Sequence, residues 1–252
     1  MSDPIERVDI GRASLYRGNA LDVLTQIGAV DTILTDPVWP NCPTGLIAGS
    51  EDPPRLWQET MRVMRIPTRL VVVLRGDSDP RFLAPVPTAL PFFRLIHLPY
   101  TIPAFVGRKL GRDEIAYWFG DPIRPGRGRN LIPSRAPAAQ PNDARTNGHP
   151  CSRALKHFDW LVEWTSDPGE TILDPFMGSG TTGVAAMRLG RRFIGIEIDP
   201  KWFDLACRQI DQAERQGVLF DGPAIPRPGR SRNPTATAGV TPMLPLLDRR
   251  PP

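Results

Sequence analysis

Cysteine and lysine are both scarce in this chain, with three of each among 252 residues. Cys42, Cys151 and Cys207 stand far apart and show none of the spacings of a metal site. His97, His149 and His157 add no metal pattern. The expectation is free thiols, no disulfide and no metal. No apolar run approaches the roughly 20 residues that a membrane-spanning helix needs. The first residues, Met1-Ser2-Asp3-Pro4-Ile5-Glu6-Arg7, lack the apolar core of a signal peptide. These absences predict a cytoplasmic protein without membrane contact. The lysine shortage leaves 28 arginines among 31 basic residues, with a net charge of +4. Arginine forks onto phosphate with two parallel hydrogen bonds, which suits a nucleic-acid partner. A G+C-rich coding sequence gives the same composition, so charge alone decides little.

What is present is α/β patterning. Residues 12–36 read as strand, turn, short helix and strand, with 31–36 an apolar strand ending in a carboxylate. A helix over 53–65 and a strand over 69–75 follow, the latter a β-branched run suited to a parallel strand covered on both faces. Residues 76–148 are rich in proline, glycine and arginine, as in Arg124-Pro125-Gly126-Arg127-Gly128-Arg129. Strand-like pieces at 95–98 and 114–119 lie within them. A connection of that length predicts a binding insertion. Order returns with a helix over 153–165, a unit over 171–198 and a helix over 200–215. The expected organisation is two halves of one domain, 1–75 and 149–217, an insertion at 76–148 and a disordered tail at 218–252.

The unit at 171–198 carries the strongest signal. Thr171-Ile172-Leu173-Asp174 is a short strand, and Pro175-Phe176-Met177-Gly178-Ser179-Gly180 a tight turn. Glycine there permits positive φ and lets a ligand approach the backbone. Thr181 and Thr182 are expected to cap the next helix, and Gly190 to end it. The following strand closes with Glu197, about 20 residues past the turn, where an acid reaches a ribose hydroxyl in nucleotide-binding βαβ units. The third glycine of the dinucleotide fingerprint is missing. Asp174 would repel a pyrophosphate, but it suits the amino or sulfonium cation of S-adenosylmethionine. A ligand-free βα turn is the plain structural alternative.

Asp174 to Thr182 resembles the cofactor motif of the amino-group DNA methyltransferases, which act on adenine N6 or cytosine N4. Asp36-Pro37-Val38-Trp39 resembles their catalytic Asp-Pro-Pro-aromatic tetrad. The tetrad precedes the cofactor motif, an order similar to the β class. The resemblance covers most of residues 12–215. It implies a Rossmann-like methyltransferase fold with a doubly wound, mostly parallel sheet and circularly permuted motif order. It also implies S-adenosylmethionine as cofactor and double-stranded DNA as partner, in a restriction–modification setting or outside one. Dimers are common in that class. Asn19 stands where the family has an acid beside the cofactor's adenine, and keeps an amide oxygen as acceptor. His149-Pro150 and the helix after it stand where the family packs on the methionine end. The candidate site is thus Asp36, Pro37 and Trp39 for catalysis. For the cofactor it is Asn19, Asp174, Pro175, Phe176, Gly178, Gly180, Thr181, Thr182 and Glu197.

The chemistry explains these residue types. An exocyclic amine is a poor nucleophile because its lone pair is delocalised, and its base must leave the duplex to meet a methyl donor. Asp36 accepts one amino hydrogen and the Pro37 carbonyl the other, which aims the lone pair and stabilises the growing positive charge. Trp39 offers a stacking face. Val38 departs from the family's proline, and Pro40 is expected to restore rigidity by biasing Trp39 toward extended backbone. Cys151 precedes the cofactor motif, so a packing role suits it better than that of a cytosine-C5 nucleophile. The arginines at 124–135 suit phosphate contact or a solvated linker equally. Two rivals stand: a methyltransferase of RNA or protein amides, whose motif order is usually reversed, and a binding module with degraded catalysis. Aspartate at the first tetrad position favours adenine, since the resemblance places serine there more often for cytosine.

Overall fold

A computed structural model describes residues 4–101, 105–106, 109–110, 113–122, 133–140 and 148–220. The elements in chain order are β1 (Glu6–Ile10), β2 (Ala13–Arg17), α1 (Ala20–Leu24), β3 (Thr32–Thr35), α2 (Pro53–Val63) and β4 (Arg69–Arg75). A 3₁₀ turn (Pro80–Leu83) follows, then β5 (Phe92–Leu98), the two-residue strands β6 (Phe105–Val106) and β7 (Lys109–Leu110), and β8 (Glu114–Gly120). The chain continues with α3 (Leu155–Thr165), β9 (Thr171–Asp174), α4 (Thr181–Arg188), β10 (Arg192–Glu197) and α5 (Pro200–Phe220).

Eight strands form one sheet in the order β1-β2-β10-β9-β3-β4-β8-β5. The central five, β2, β10, β9, β3 and β4, are mutually parallel. β4 shows why. Its alternate side chains feed both faces: Val71 and Val73 join the apolar cluster beneath α3, α4 and α5, while Leu70, Val72 and Leu74 join the cluster beneath α1 and α2. All five are fully buried, each contributing roughly 1.5–3 kcal/mol. A strand apolar on both faces belongs between two helical layers, as its β-branched run predicts.

The edges differ from expectation. Glu6–Ile10 is a strand that hydrophobic alternation does not reveal, because it lies half-exposed on the rim and pairs with β2 across a turn at Gly11, φ +53°. The stretch expected as an insertion, 76–148, supplies β5 and β8 to the main sheet, where Ile96, Leu98 and Trp118 are fully buried. The arginine-rich residues at 124–132 lie outside the described residues. So does the expected tail beyond 220, while 218–220 continue helix α5. Among the described residues no helix is long and apolar enough to cross a membrane, and no cluster of His, Cys, Asp and Glu has the makings of a metal site.

The topology places the site. β9 leads to β10 on one side, while β3 leads to β4 on the other, so strand order reverses between β9 and β3. Crevices beyond the carboxyl ends of strands at such a reversal are where open α/β sheets take ligands. Register pairs Ile33 with Leu173, which sets Asp174 and Asp36 at the lip of that crevice.

Candidate functional site

A cavity of about 490 Å³ occupies the crevice and draws its walls from both halves of the chain. That size is ordinary for a small-molecule site.

One wall is the turn after β9. Asp174 is almost fully buried, and its carboxylate gathers three donors. Oδ1 accepts from the Thr35 hydroxyl at 2.9 Å and the Phe176 N–H at 3.1 Å, and Oδ2 from the Thr182 hydroxyl at 2.6 Å. Burial raises its pKa to about 7, against the pull of those hydrogen bonds. Asp174 therefore fixes the shape of the turn from the cavity wall. Thr182 does not cap the helix: its hydroxyl goes to Asp174, and the N-cap is Gly180 with no side-chain cap bond. The reason is conformational. Gly180 adopts φ +89°, and a Cβ there would lie 2.9 Å from Cβ of Ala206 on α5. Gly178 is also left-handed, φ +52°, and its Cα faces the imidazole of His149. At the far end of α4, Gly190 adopts φ +75°, with Gly190 N–H on Met187 O and Arg191 N–H on Ala186 O, the glycine stop that the sequence predicts.

Glu197 ends β10 on the same cavity. One carboxylate oxygen accepts the Asp199 N–H at 2.8 Å, and burial raises its pKa to about 6. Its carbonyl receives the Gly18 N–H at 3.0 Å, which brings Asn19 beside it. Asn19 uses its amide oxygen to cap α1 through the Leu21 N–H at 2.9 Å. The acceptor expected to face a ligand thus already serves the helix, and the amide NH₂ remains. Two carboxylates, a half-buried aromatic ring at Phe176 and a glycine turn suit a nucleoside with a cationic tail.

The other wall follows β3. Pro37 and Val38 are buried, and Trp39 is pinned by its indole N–H on the Val73 carbonyl at 3.1 Å. Pro40 sits second in a turn closed by Cys42 N–H on Trp39 O at 2.9 Å, where its fixed φ is favoured. The Asp36 carboxylate is not free. Nε of Arg153 donates to Oδ2 at 2.5 Å, and both side chains are only 13–14% exposed. The Arg153 guanidinium also lies 3.8 Å over the Trp39 ring. Burial lifts the Asp36 pKa to about 6, Arg153 opposing it and buried Glu114 adding to it. His149 is held neutral, its pKa lowered to about 4 by burial and by Arg153.

Of the predicted site residues, Asn19, Asp36, Pro37, Trp39, Asp174, Pro175, Phe176, Gly178, Thr181, Thr182 and Glu197 all line this cavity. Gly180 does not, and shapes the turn from behind, against Ala206. Sequence reasoning missed Arg153 and Glu114. One arginine among 28 carries no local mark. Glu114 does carry one: strand alternation puts it on the buried face of β8 with Ala116 and Trp118, and a charge on an apolar face calls for a partner.

A DNA methylase family model, of the N6/N4 methyltransferase kind, matches residues 48–208. The chain belongs to this DNA methylase family. The matched span begins after Asp36-Pro37-Val38-Trp39, so the tetrad stands on its own geometry. Type II methyltransferase M2.DpnII of Streptococcus pneumoniae is 41% identical over 63 residues, 25% of this chain and 24% of that protein. DNA adenine methyltransferase YhdJ of Escherichia coli is 40% identical over 65 residues, 26% of this chain and 22% of that protein. The alignments therefore span about a quarter of these curated relatives. Among solved structures, the M1.HpyAVI–SAM complex superposes with a TM-score of 0.60 at 21% identity, covering 79% of this chain and 99% of that one. PvuII DNA methyltransferase, cytosine-N4-specific, also gives 0.60 at 15% identity, covering 83% and 94%. Likeness at such identity establishes the family's α/β methyltransferase fold.

Proposed function

We propose that the protein transfers a methyl group from S-adenosylmethionine to the exocyclic amine of a flipped base in double-stranded DNA, adenine N6 in preference to cytosine N4. The observation that carries this reading is the placement of Asp36 and Trp39 on the same cavity as the Gly178–Gly180 turn and Glu197. When bound, the cofactor supplies an electrophilic methyl group on a sulfonium.

This chain's residues do the rest. Glu197 would take the ribose hydroxyls, Phe176 would lie against the adenine, and the Asn19 amide would sit at its edge. The glycines at 178 and 180 keep the turn open to the methionyl part, with Pro175, Thr181 and Thr182 holding its frame and Asp174 its negative charge. Asp36 and the Pro37 carbonyl accept the two amino hydrogens, and Trp39 stacks on the base. With those hydrogens held, the nitrogen lone pair would take the methyl group that the cofactor supplies, the C–S bonding pair staying with sulfur. The proton shed by nitrogen then passes to Asp36, whose raised pKa suits an acceptor. Orientation supplies much of the remaining rate. The reading places the enzyme in the cytoplasm and includes a homodimer, which sedimentation velocity checks.

Modification-sensitive sequencing of DNA from cells expressing the protein tests the activity and returns base and site together. Asp36→Ala should abolish the signal. Methylated cytosine in place of adenine would move the assignment to N4. Label transferred to RNA or protein, and none to DNA, would overturn it.

A further inference from the structure

We infer that Arg153 is a latch that occupies the target-base position of the empty enzyme, and that the arriving base displaces it toward Glu114. This rests on the base-methylation reading above. A flipped base would lay a planar ring on Trp39 and donate hydrogens to Asp36. Arg153 does both already: its planar guanidinium lies 3.8 Å over the Trp39 ring, and its Nε donates to Asp36 Oδ2. Arginine is suited to imitate an aminated ring, being flat, stackable and rich in in-plane donors. The base and Arg153 cannot use that ring face and that carboxylate together.

A second position is built beside the first. Glu114 Oε1 lies 3.7 Å from Arg153 Nε and accepts the Tyr100 hydroxyl at 3.1 Å. Its other oxygen, Oε2, is buried without a hydrogen-bond partner, and so is Nδ1 of His157, 3.9 Å away. His157 Nε2 is 3.0 Å from the Pro99 carbonyl, which can only accept, so Nε2 carries a hydrogen. A guanidinium donor turned from Asp36 toward Glu114 would satisfy a buried oxygen that is otherwise unpaired. Displacement then exchanges one carboxylate for another at the guanidinium, while the base's amino hydrogens take its place at Asp36.

Two variants separate the latch from a purely structural arginine. Glu114→Gln keeps an acceptor for Tyr100 but removes the second carboxylate, so that Arg153 stays over Trp39. Arg153→Lys keeps the cation beside Asp36 but removes the stacking plane. Initial rates of labelled-methyl transfer are measured against concentration of DNA carrying the site found by sequencing. Cofactor affinity is measured in parallel by calorimetry. KM for DNA should rise about fivefold in Glu114→Gln and fall about threefold in Arg153→Lys, because the fraction of enzyme with an open base site moves in opposite directions. Cofactor affinity should stay within about twofold of wild type in both. Unchanged KM in both variants, or a shift of KM in the same direction, overturns the latch while methylation stands. Absence of methyl transfer to DNA by the wild type overturns the reading beneath it as well.

Discussion

Asp174 and Asp36 end neighbouring strands and face one cavity, yet they are held by different means. Asp174 is bound by Phe176 and Thr182, two and eight residues away, and by Thr35 on the adjacent strand. Asp36 is bound by Arg153, 117 residues away, beneath the influence of Glu114 on β8. The wall proposed for the cofactor is largely local, its turn, glycines and acid following one another in the chain, with Thr35, 139 residues from Asp174, as its long-range donor. The wall proposed for catalysis is assembled only when β3, β8 and the segment before α3 meet. Damage should therefore separate cleanly: changes at one wall remove chemistry, changes at the other remove cofactor.

The largest expected effect is at Asp36. On the proposed mechanism Asp36→Ala removes the acceptor that the amine needs, and turnover should fall by about a hundredfold or more. Cofactor affinity should stay within about twofold, because no cofactor-wall group depends on Asp36 for a hydrogen bond. Labelled-methyl transfer and calorimetry check the two halves. Loss of cofactor binding in this variant would erase the distinction between the walls.

Gly180→Val is the reciprocal change and comes next. Valine would have to adopt φ +89° with Cβ 2.9 Å from that of Ala206 and 3.0 Å from its Cα. Left-handed backbone and overpacking together should cost about 3 kcal/mol in thermal or denaturant unfolding. The surviving folded protein should bind cofactor poorly. A variant with wild-type stability and affinity would show that the turn is not locally fixed.

The same contrast governs what could be read from sequence. β9, β10 and β4 have the bounds that the sequence predicts, because apolar runs closed by Asp174, Glu197 and Arg75 mark both ends. Gly180 and Gly190 were legible as glycines with a backbone reason. The threonine cap was not, because competition between a helix N-terminus and the Asp174 carboxylate for one hydroxyl is decided in three dimensions. The strand pieces at 95–98 and 114–119 are legible, but their place at the edge of the main sheet is not, for a similar reason. Proline and glycine around 76–91 and 121–148 look like an insertion, while Glu114–Gly120 buries its alternate face only through pairing with β4 and β5. Arg153 and Glu114 belong to that non-local part of the molecule.

Acid sharpens the comparison further. On the proposed mechanism Asp36 must be ionised to accept, and burial raises its pKa to about 6. Methyl transfer should fall as pH drops through about 6, approaching tenfold per pH unit below it. Stability runs the other way. A carboxyl whose folded pKa is raised holds its proton more tightly when folded, so its contribution is present below its ordinary range and lost as pH rises through about 6. Asp174, raised to about 7, adds to this with the same sign. Rate–pH profiles and melting curves of the cofactor-free protein between pH 5.5 and 7.5 (~2 units, within the linkage window) should therefore diverge. A melting temperature that falls together with activity would assign the acid limb to unfolding.

The smallest effect expected is at Val38, and it tests how the catalytic wall gets its rigidity. Proline at this position would fix φ and remove an N–H, at a gain of about 1 kcal/mol or less where the backbone is compatible. The segment is already constrained without it. Val38 is only 7% exposed, Trp39 is pinned to the Val73 carbonyl, and the turn through Pro40 is closed on Cys42. Val38→Pro should thus change turnover by less than about threefold, with cofactor affinity unchanged. Pro40→Ala, which loosens the turn that orients Trp39, should lower turnover by more than Val38→Pro raises it. Much higher turnover in Val38→Pro at unchanged cofactor binding would mean that the native tetrad is underconstrained, and that its long-range contacts hold Asp36 and Trp39 less firmly than the local bonds hold Asp174.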